Sequence, residues 1–447
     1  MLESLSARIR KQLPRKSVAY ARARSLFSRH PLPPGELVPL DELEKSDRCY
    51  LLHRGQEVGP IFKALCRGDL WVCIQGIQRC RRFLKEHGDH LQPTTISVSS
   101  LFPKGFIRQM SGDVHRQYRQ ALARAIRPAD LTGMEGELSE FIRRELAAYA
   151  TAQGAAAPTA DAYIATLNKI GSALLIRAFY GVSPGSEAFD RILAGYRNLG
   201  PFGLVWNIGD RQREAFSEIR ELLLTHLVRD PSRRPPGARE SILGRLVDEG
   251  PVDDTMLGNL IYMVEMGRYD TYSLFRWLTK YVGDHPAMAE RLARETVTDP
   301  GIGGSFAEAF VLETLRTDKS ERLIRKVLDD VVFEGYLIPR HATVRLCLWE
   351  AHKDPDVFAH PFQFDPEHFL PSSPGNDEFA PFGLDQHVCP LGDMAIRMSI
   401  LFLRALTTRH RVVPAADGLP VLGPYHWEPA SRFAVRLEPR TPSATVR

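Results

Sequence analysis

The sequence lacks a long apolar run, has few cysteines and carries little excess charge of either sign. A helix that spans a bilayer needs about 20 consecutive apolar residues, and no such run occurs among the 447 residues. The net charge of +4 is too small to indicate nucleic-acid binding, although it permits a local basic surface for an acidic protein. We therefore expect no transmembrane segment and no nucleic-acid partner.

The six cysteines form neither a CxxC pair nor a zinc-binding spacing. So small a share in a long chain indicates a reducing compartment without a disulfide framework, and we expect a cytoplasmic protein. The first 45 residues are basic and end in the proline-rich stretch 31–35, which stops a helix. We expect a solvated first helix here; an arginine-rich transit peptide is the alternative.

The distribution of apolar residues predicts a mainly α protein with small β-sheets. Hydrophobic residues make up 44% of the chain, which is enough for a large core. Short strands are predicted at 59–64, 69–75, 331–338 and 343–348, and surface connections at 154–158 and 230–237. Because the motifs described below are scattered along the chain, we expect one domain over residues 1–447. Helical spacing is found at 112–127, 160–180, 211–229, 253–282, 303–317 and 393–408.

Cys389 is the most informative residue. It lies in a loop rich in proline and glycine, at 380–392, that leads into an apolar helical stretch. A helix N-terminus favours the charge of a thiolate, and a thiolate is the ligand that favours O–O cleavage on heme iron. The alternative for an isolated cysteine is a small buried apolar residue.

Two further motifs lie upstream of the cysteine loop. Glu313 and Arg316 are three residues apart on a predicted helix and lie on one face; alone they also fit a surface ion pair. The segment 364–369, which contains His368, combines proline turns with aromatic residues. It fits a packed irregular loop, or simply a proline-rich connection.

The longest predicted helix contains Gly267, Arg268, Tyr269, Asp270 and Thr271 in sequence. A glycine inside a helix costs roughly 0.5–1 kcal/mol relative to alanine, so it needs a reason. Gly267 and Thr271 share a face, which fits either a groove for a small ligand or a close helix crossing.

His115 and Arg119 are four residues apart on an early helix. They fit an anion-binding pair formed by charge-assisted hydrogen bonds. A solvated basic face is the alternative.

Taken together and in this order, the motifs resemble the cytochrome P450 superfamily over about residues 50–440. The resemblance implies a single, mostly helical domain with heme b between the long helix and the cysteine loop. It implies Cys389 as the axial ligand of the iron, with Phe382 retained in the loop. Contacts to the heme propionates are implied for His115, Arg119, Arg325 and His387.

The resemblance also assigns the remaining motif residues. Glu313, Arg316 and His368 would form a buried polar network, which is costly to break. Asp270 and Thr271 match the acid and alcohol that deliver protons to bound dioxygen.

The chain departs from the family pattern at three positions. Asp385 and Leu391 stand in the cysteine loop where the family usually has glycine. Arg268 stands where the family has a small residue. Arg268 either binds a substrate carboxylate or pairs structurally with an acid such as Asp270 or Glu265.

By the same resemblance, residues 317–324 line the substrate site, and here they are unusually polar. Lys319, Glu321 and Arg322 either meet a charged substrate or form ion pairs with each other. The predicted substrate contacts are Val264, Gly267, Arg268, Leu323, Phe102 and Trp206.

The function implied is that of a heme-thiolate monooxygenase that uses O2 and an external electron donor, a ferredoxin with its reductase, to oxidise a small molecule. We expect hydroxylation of a polar or carboxylate-bearing substrate in specialised metabolism, and a monomeric protein. Basic residues such as Arg116, Arg124 and Arg127 are expected to dock the donor. The alternatives are a peroxide-using or non-redox heme enzyme, and a degenerate recruitment protein.

Overall fold

A computed structural model describes residues 16–94, 98–126, 131–153, 157–201, 203, 207–229, 234, 237–298, 304–320, 322–370 and 374–440. The fold is mainly helical with small β-sheets, as the sequence predicts. Among the residues so described, none of the helices combines the length and the hydropathy needed to cross a bilayer.

Fifteen α-helices occur in the described part of the chain. They are α1 Lys16–Phe27, α2 Leu40–Ser46, α3 Tyr50–Val58, α4 Ile77–His87, α5 Gly112–Ile126, α6 Glu135–Ala152, α7 Ala160–Tyr180, α8 Glu187–Leu199, α9 Asp210–Leu223, α10 Ile242–Glu249, α11 Asp254–Asp284, α12 Pro286–Thr298, α13 Phe306–Thr314, α14 Leu348–Ala351 and α15 Gly392–Arg409.

The strands are short. They are β1 Ile61–Cys66, β2 Asp69–Gln75, β3 Leu91–Pro93, β4 Leu323–Val327, β5 Val331–Phe333, β6 Tyr336–Ile338, β7 Thr343–Cys347, β8 His410–Ala416, β9 Val421–Leu422, β10 Trp427–Glu428 and β11 Ala434–Pro439.

All six predicted helical stretches form helices, and all four predicted strand segments contain strands. Two of the helices end in a wider turn than the periodicity predicts. A π-helical turn over Leu224–Val228 follows α9, and another over Leu315–Lys319 follows α13. The basic first helix lies partly outside the described residues, and α1 is its described part.

The chain divides into two compact units, and they are described in turn. The expectation of one domain stays a prediction. The first unit comprises Met1–Thr95, Leu315–Cys389 and Val421–Trp427. Its five-stranded sheet has the order β1-β2-β7-β4-β3. Only the β2–β7 pair is parallel among these neighbours, and apolar side chains of the strands and of α4 form its core.

The second unit comprises Ile96–Thr314, Pro390–Pro420 and Glu428–Arg447. Its central element is the long helix α11, which packs against α7, α9, α12, α13 and α15. Side-chain caps fix where several of the helices begin, because each satisfies a backbone N–H that has no partner within its helix. The capping residues are Thr159 for α7, Ser186 for α8, Ser241 for α10 and Asp253 for α11.

Candidate active site

Cys389 presents an exposed thiol three residues before α15 begins at Gly392. Its backbone N–H donates to the carbonyl oxygen of Phe382 at 3.0 Å, and the N–H of Val388 donates to Asp385 at 3.0 Å. These two bonds close the loop into a compact turn. The structure therefore holds the thiol at a helix N-terminus, where a thiolate is favoured.

The other five cysteines, which all lie in the described residues, are buried or half-buried. Burial raises the pKa of the Cys66 thiol to about 11 and that of Cys80 to about 12, so both stay protonated at neutral pH. Exposure therefore distinguishes Cys389 from the rest. The alternative of a small buried cysteine does not hold for this residue.

The two unusual residues of the cysteine loop fit it for different reasons. Asp385 adopts φ +56°, in the left-handed region where glycine is favoured and aspartate is tolerated. Its carboxylate lies 3.5 Å from Arg81, and the nearby Arg325 also opposes the rise in pKa that burial causes. Leu391 has φ −109°, which any residue adopts. The loop therefore keeps its turn without either glycine.

His352 is a buried residue of the first unit that the sequence analysis did not single out. Its Nε2 accepts the backbone N–H of Ala380, where the cysteine loop begins, at 3.0 Å. Its Nδ1 lies 2.6 Å from the hydroxyl of Ser320, which itself donates to Leu315. The ring is therefore neutral with its proton on Nδ1, and burial holds its pKa well below the usual value.

Arg316 is fully buried, and its guanidinium binds backbone rather than a solvated partner. It donates to the carbonyl oxygens of His352 at 2.9 Å, Pro361 at 2.7 Å and Gln363 at 3.0 Å. His368 lies 2.6 Å from the carbonyl of Ala359 in the same segment. Arg316 and the half-buried His368 thus both bind the segment 359–363, and their membership with Glu313 of one buried network stays a prediction.

Glu313 is also fully buried, on α13. A surface ion pair, the alternative for Glu313 and Arg316, is therefore excluded, because neither side chain reaches solvent.

In the second unit, α11 is buried along most of its length. Over the fully described stretch 255–279, the residues that are not buried are Met266, Gly267, Asp270 and Thr271. The spacing places these four on one face, so they form a single open stripe on a buried helix. The stripe carries both residues that the sequence assigns to proton delivery, and their role stays a prediction.

Gly267 and Thr271 also lie against α7. A Cβ on Gly267 would stand 3.2 Å from Leu175, and a Cβ on Gly171 would stand 3.1 Å from the methyl carbon of Thr271. Gly267 therefore lies at a close helix crossing and is partly exposed, and a groove for a small ligand there stays a prediction.

The structure contradicts the assignment of Arg268 as a substrate anchor. Its side chain is 0% exposed, and its Nη1 lies 2.9 Å from Oε2 of Glu265. Nε and Nη2 bind Ser172 and Asn168 of α7, and Nη1 also contacts two carbonyl oxygens at the end of α8. The second alternative, a structural pair with an acid, describes Arg268 correctly, and the acid is Glu265.

Burial affects both members of this pair. It raises the pKa of Glu265 to about 7 even though the neighbouring guanidinium opposes the change. It lowers the pKa of Arg268. Because desolvation of the carboxylate outweighs the attraction of Arg268, Glu265 takes up a proton close to neutral pH.

His115 and Arg119 lie on α5, as predicted. His115 is buried, and burial together with Arg119 and Arg116 lowers its pKa, so the ring is neutral at pH 7. Arg116 pairs with Asp113, and Arg124 lies 3.1 Å from Glu249. The predicted docking and propionate roles stay predictions, and Arg127 lies outside the described residues.

The predicted substrate contacts are placed as follows. The ring of Phe102 lies over Gly258 of α11 and stacks on Phe216 at 5.7 Å between ring centroids. Val264 is 0% exposed, and Leu323 belongs to the apolar core of the first unit. Trp206 lies outside the described residues. Contact of these residues with a substrate stays a prediction.

The polar segment after α13 is buried and held by partners elsewhere in the first unit. Asp318 pairs with Arg48, whose guanidinium carbon lies 4.7 Å from the ring centroid of Trp349. Lys319 contacts His426 in the hairpin closed by the Gly423 N–H and the His426 carbonyl.

Arg322 of the same segment donates to Gly423 at 3.1 Å and to Glu44 at 3.4 Å. The partners found for Lys319 and Arg322 thus lie outside the segment, and ion pairing of these two cations with Glu321 stays a prediction. Glu321 lies outside the described residues.

Comparison with known proteins gives one family and a set of distant relatives. The family model "Cytochrome P450" matches residues 305–422. Abscisic acid 8'-hydroxylase 1 of Arabidopsis thaliana is 24% identical over 433 residues, with 89% of each chain covered. Cytochrome P450 85A1 of Oryza sativa subsp. japonica is 25% identical, with 88% of this chain and 89% of the relative covered.

Solved structures share the fold. The retinoic acid-bound cyanobacterial CYP120A1 matches with a TM-score of 0.69 at 21% identity, over 92% of this chain and 100% of the other. A zebra fish cytochrome P450 with progesterone matches with a TM-score of 0.68 at 18% identity, over 88% of this chain and 99% of the other.

Proposed function

This chain belongs to the cytochrome P450 superfamily of monooxygenases, and from that premise we propose that it hydroxylates a small carboxylic acid with O2 and electrons from a separate protein. The observation that carries the proposal is the exposed thiol of Cys389, held at the N-terminus of α15 by a closed loop. A thiolate at such a place is the donor that heme iron takes in this family.

We propose heme b as the cofactor. Cys389 would bind the iron, and the heme would supply the activation of O2. His387 of the cysteine loop, Arg325 of β4, and His115 and Arg119 of α5 offer imidazole and guanidinium groups for the propionates. Phe382 accepts the backbone bond that shapes the loop.

Asp270 and Thr271 are the residues proposed to move protons. They lie together on the open stripe of α11, while their neighbours on the helix are buried. A carboxylate that exchanges protons with solvent and a hydroxyl that passes them on suit general acid catalysis. We propose that Asp270 takes up the proton and that the Thr271 hydroxyl hands it to the reacting oxygen.

The substrate class rests on the relatives. Several of them are named as abscisic acid hydroxylases, and one solved structure of the same fold holds retinoic acid. Both names are those of carboxylic acids with apolar bodies. Because Arg268 is fully engaged within the protein, a substrate carboxylate must be bound by other residues. A role in specialised metabolism fits these relatives.

We further propose a ferredoxin-type electron donor, a monomeric enzyme and a cytoplasmic location. All six cysteines, each within the described ranges, are outside disulfides, as a reducing compartment favours. Exposed arginines of α5, Arg116 and Arg124, suit an acidic donor.

The test uses the full chain loaded with heme, supplied with a ferredoxin, its reductase and isotopically labelled O2. Abscisic acid and retinoic acid are compared with their methyl esters, by spin-state titration and by mass spectrometry of products. We expect the acids to bind more tightly and to gain one labelled oxygen. If the methyl esters bind as tightly as the acids, the proposal that the enzyme recognises a substrate carboxylate is wrong. If turnover with hydrogen peroxide alone equals turnover with O2 and the electron donor, the peroxide-using alternative is indicated.

A further inference from the structure

Arg268 joins three helices of the second unit through one side chain. Its Nε donates to the hydroxyl of Ser172 at 3.0 Å, and its Nη2 donates to Oδ1 of Asn168 at 3.0 Å, both on α7. Its Nη1 donates to Glu265 on α11 at 2.9 Å. A buried guanidinium with this many fixed partners leaves little freedom to the elements that it joins.

The same nitrogen also reaches the end of α8. Nη1 lies 2.9 Å from the carbonyl oxygen of Tyr196 and 3.3 Å from that of Gly200. Tyr196 lies in the last turn of α8 and Gly200 is its C-cap, and the negative end of a helix dipole favours a cation there. The guanidinium of Arg268 is therefore held by the end of α8 as well as by Glu265 while it binds α7.

The two α7 contacts lie on either side of Gly171. Asn168 is three residues before it and Ser172 directly follows it. At Gly171, α7 comes so close to α11 that an added Cβ would stand 3.1 Å from the methyl carbon and 3.3 Å from Cβ of Thr271. Arg268 thus binds α7 at a residue that precedes Gly171 and at one that follows it, and at Gly171 α7 contacts Thr271.

This approach determines where the Thr271 hydroxyl points. Threonine is branched at Cβ, so the methyl and the hydroxyl occupy two of three staggered positions. When the methyl packs against Gly171, the hydroxyl is directed elsewhere around the same bond. If α7 moved away, other rotamers would become available and the hydroxyl would lose its fixed direction.

We propose that Arg268 is a positioning residue for Thr271: it holds α7 against α11 around Gly171, and this contact fixes the rotamer of the threonine. The inference rests on the proposed proton role of Thr271 for its catalytic consequence. It gives a reason for a large charged residue at a position where the family has a small one, without contact between Arg268 and the substrate.

The first experiment is a double-mutant cycle with Arg268→Lys and Thr271→Ala in the heme-loaded enzyme. The measured quantity is product formed per electron pair consumed. Lysine keeps the charge but cannot bind Ser172, Asn168 and Glu265 together. We expect each single variant to lower the ratio by roughly tenfold, since a misplaced catalytic group costs up to about a hundredfold, and the double variant to be no worse than Thr271→Ala alone.

The matched control is Arg276→Lys. Arg276 is also a buried arginine of α11, but its Nη2 donates to Ala430 and its nearest acid is Glu428, and neither of these two partners belongs to α7. We expect the control to lower thermal stability without lowering the product ratio. Equal loss of the ratio in both arginine variants, or additive losses in the cycle, would mean that Arg268 acts through general stability.

The second experiment needs no turnover. Crystal structures and amide hydrogen exchange are compared for wild type, Arg268→Lys, Ser172→Ala and Arg276→Lys. We expect faster amide exchange around residues 168–172 and an altered Thr271 rotamer in Arg268→Lys and Ser172→Ala, but not in Arg276→Lys. An unchanged rotamer and unchanged exchange overturn the inference. If wild type forms no product at all, the proposed function fails, and this experiment still decides the role of Arg268.

Discussion

Glu265 and Arg268 carry opposite charges in the interior of the second unit, one turn apart on α11. The Glu265 carboxylate is fully buried, and its pKa rises to about 7 because desolvation outweighs the attraction of the guanidinium. In the unfolded chain the same group has the ordinary value of 4.5. Between these two values the folded protein binds a proton that the unfolded chain has released.

The free energy of unfolding should therefore fall as pH rises from 4.5 to 7. The shift corresponds to a loss of about 3 kcal/mol. We expect Glu265→Gln to remove this part of the pH dependence, measured by denaturant unfolding at a series of pH values. Glu249→Gln, an exposed control, should leave the profile unchanged. Parallel profiles for wild type and Glu265→Gln would contradict the raised pKa.

His352 connects the turn after α13 to the first residue of the cysteine loop. Its neutral ring donates to Ser320 and accepts from Ala380. Replacement by leucine leaves the Ala380 N–H without this acceptor, at a cost of about 1–3 kcal/mol.

We expect His352→Leu to loosen the cysteine loop, so that part of the reduced carbon monoxide complex loses the spectrum of a thiolate ligand. His352→Gln retains an acceptor and should retain more of that spectrum. A fully thiolate-type spectrum in the leucine variant would show that the loop does not depend on His352.

Gly203 packs directly against the backbone of the long helix α11. Gly203 has φ +76°, and a Cβ there would stand 2.5 Å from the backbone nitrogen of Tyr269 and 2.8 Å from the carbonyl oxygen of Glu265. Gly203 therefore rests on the helix itself, against residues that directly adjoin the open stripe in sequence.

Gly203→Ala should be strongly destabilising, because it combines left-handed strain of about 1–2 kcal/mol with overpacking of about 1–3 kcal/mol. Gly59→Ala provides the control: Gly59 has φ +104°, but a Cβ there meets nothing within 4 Å. We expect the thermal unfolding temperature to fall more for Gly203→Ala than for Gly59→Ala. Equal shifts would show that Gly203 does not touch α11.

Elements with strong local signals could be predicted, and those that depend on distant partners could not. The strand at 69–75 and the helices at 160–180 and 253–282 were predicted closely because their apolar spacing is regular. β4 was missed because its five residues are stabilised by pairing with β7 and β3, which are remote in sequence. The π-helical turn over Leu315–Lys319 has no sequence period that predicts it.

The same distinction holds for the site. The spacing of Cys389, Arg316 and Thr271 could be recognised, because family motifs are local. The sequence could not decide whether Arg268 binds a substrate or a structural partner, because Asn168 and Ser172, which bind its side chain, lie about a hundred residues away on α7. His352 gave no signal, since a single histidine in a connection does not reveal that both its nitrogens are engaged.

At the scale of the whole molecule, the motifs are divided between the two compact units. The cysteine loop, Arg316 and His352 belong to the first, and Asp270, Thr271 and Arg268 belong to the second. Each unit has its own organising polar network: backbone carbonyls around Arg316 in one, and the ion pair of Glu265 in the other. The proposed function assigns ligation to the first unit and proton handling to the second.

The most direct measurement is the carbon monoxide difference spectrum of the reduced, heme-loaded protein, for wild type, Cys389→Ser and Cys66→Ser. Cys66 is a half-buried thiol of the same unit and serves as the control. The account predicts the thiolate-type band that gives the family its name in wild type and in Cys66→Ser, and its loss in Cys389→Ser. Retention of that band by Cys389→Ser, or its absence from wild type, would contradict Cys389 as the iron ligand.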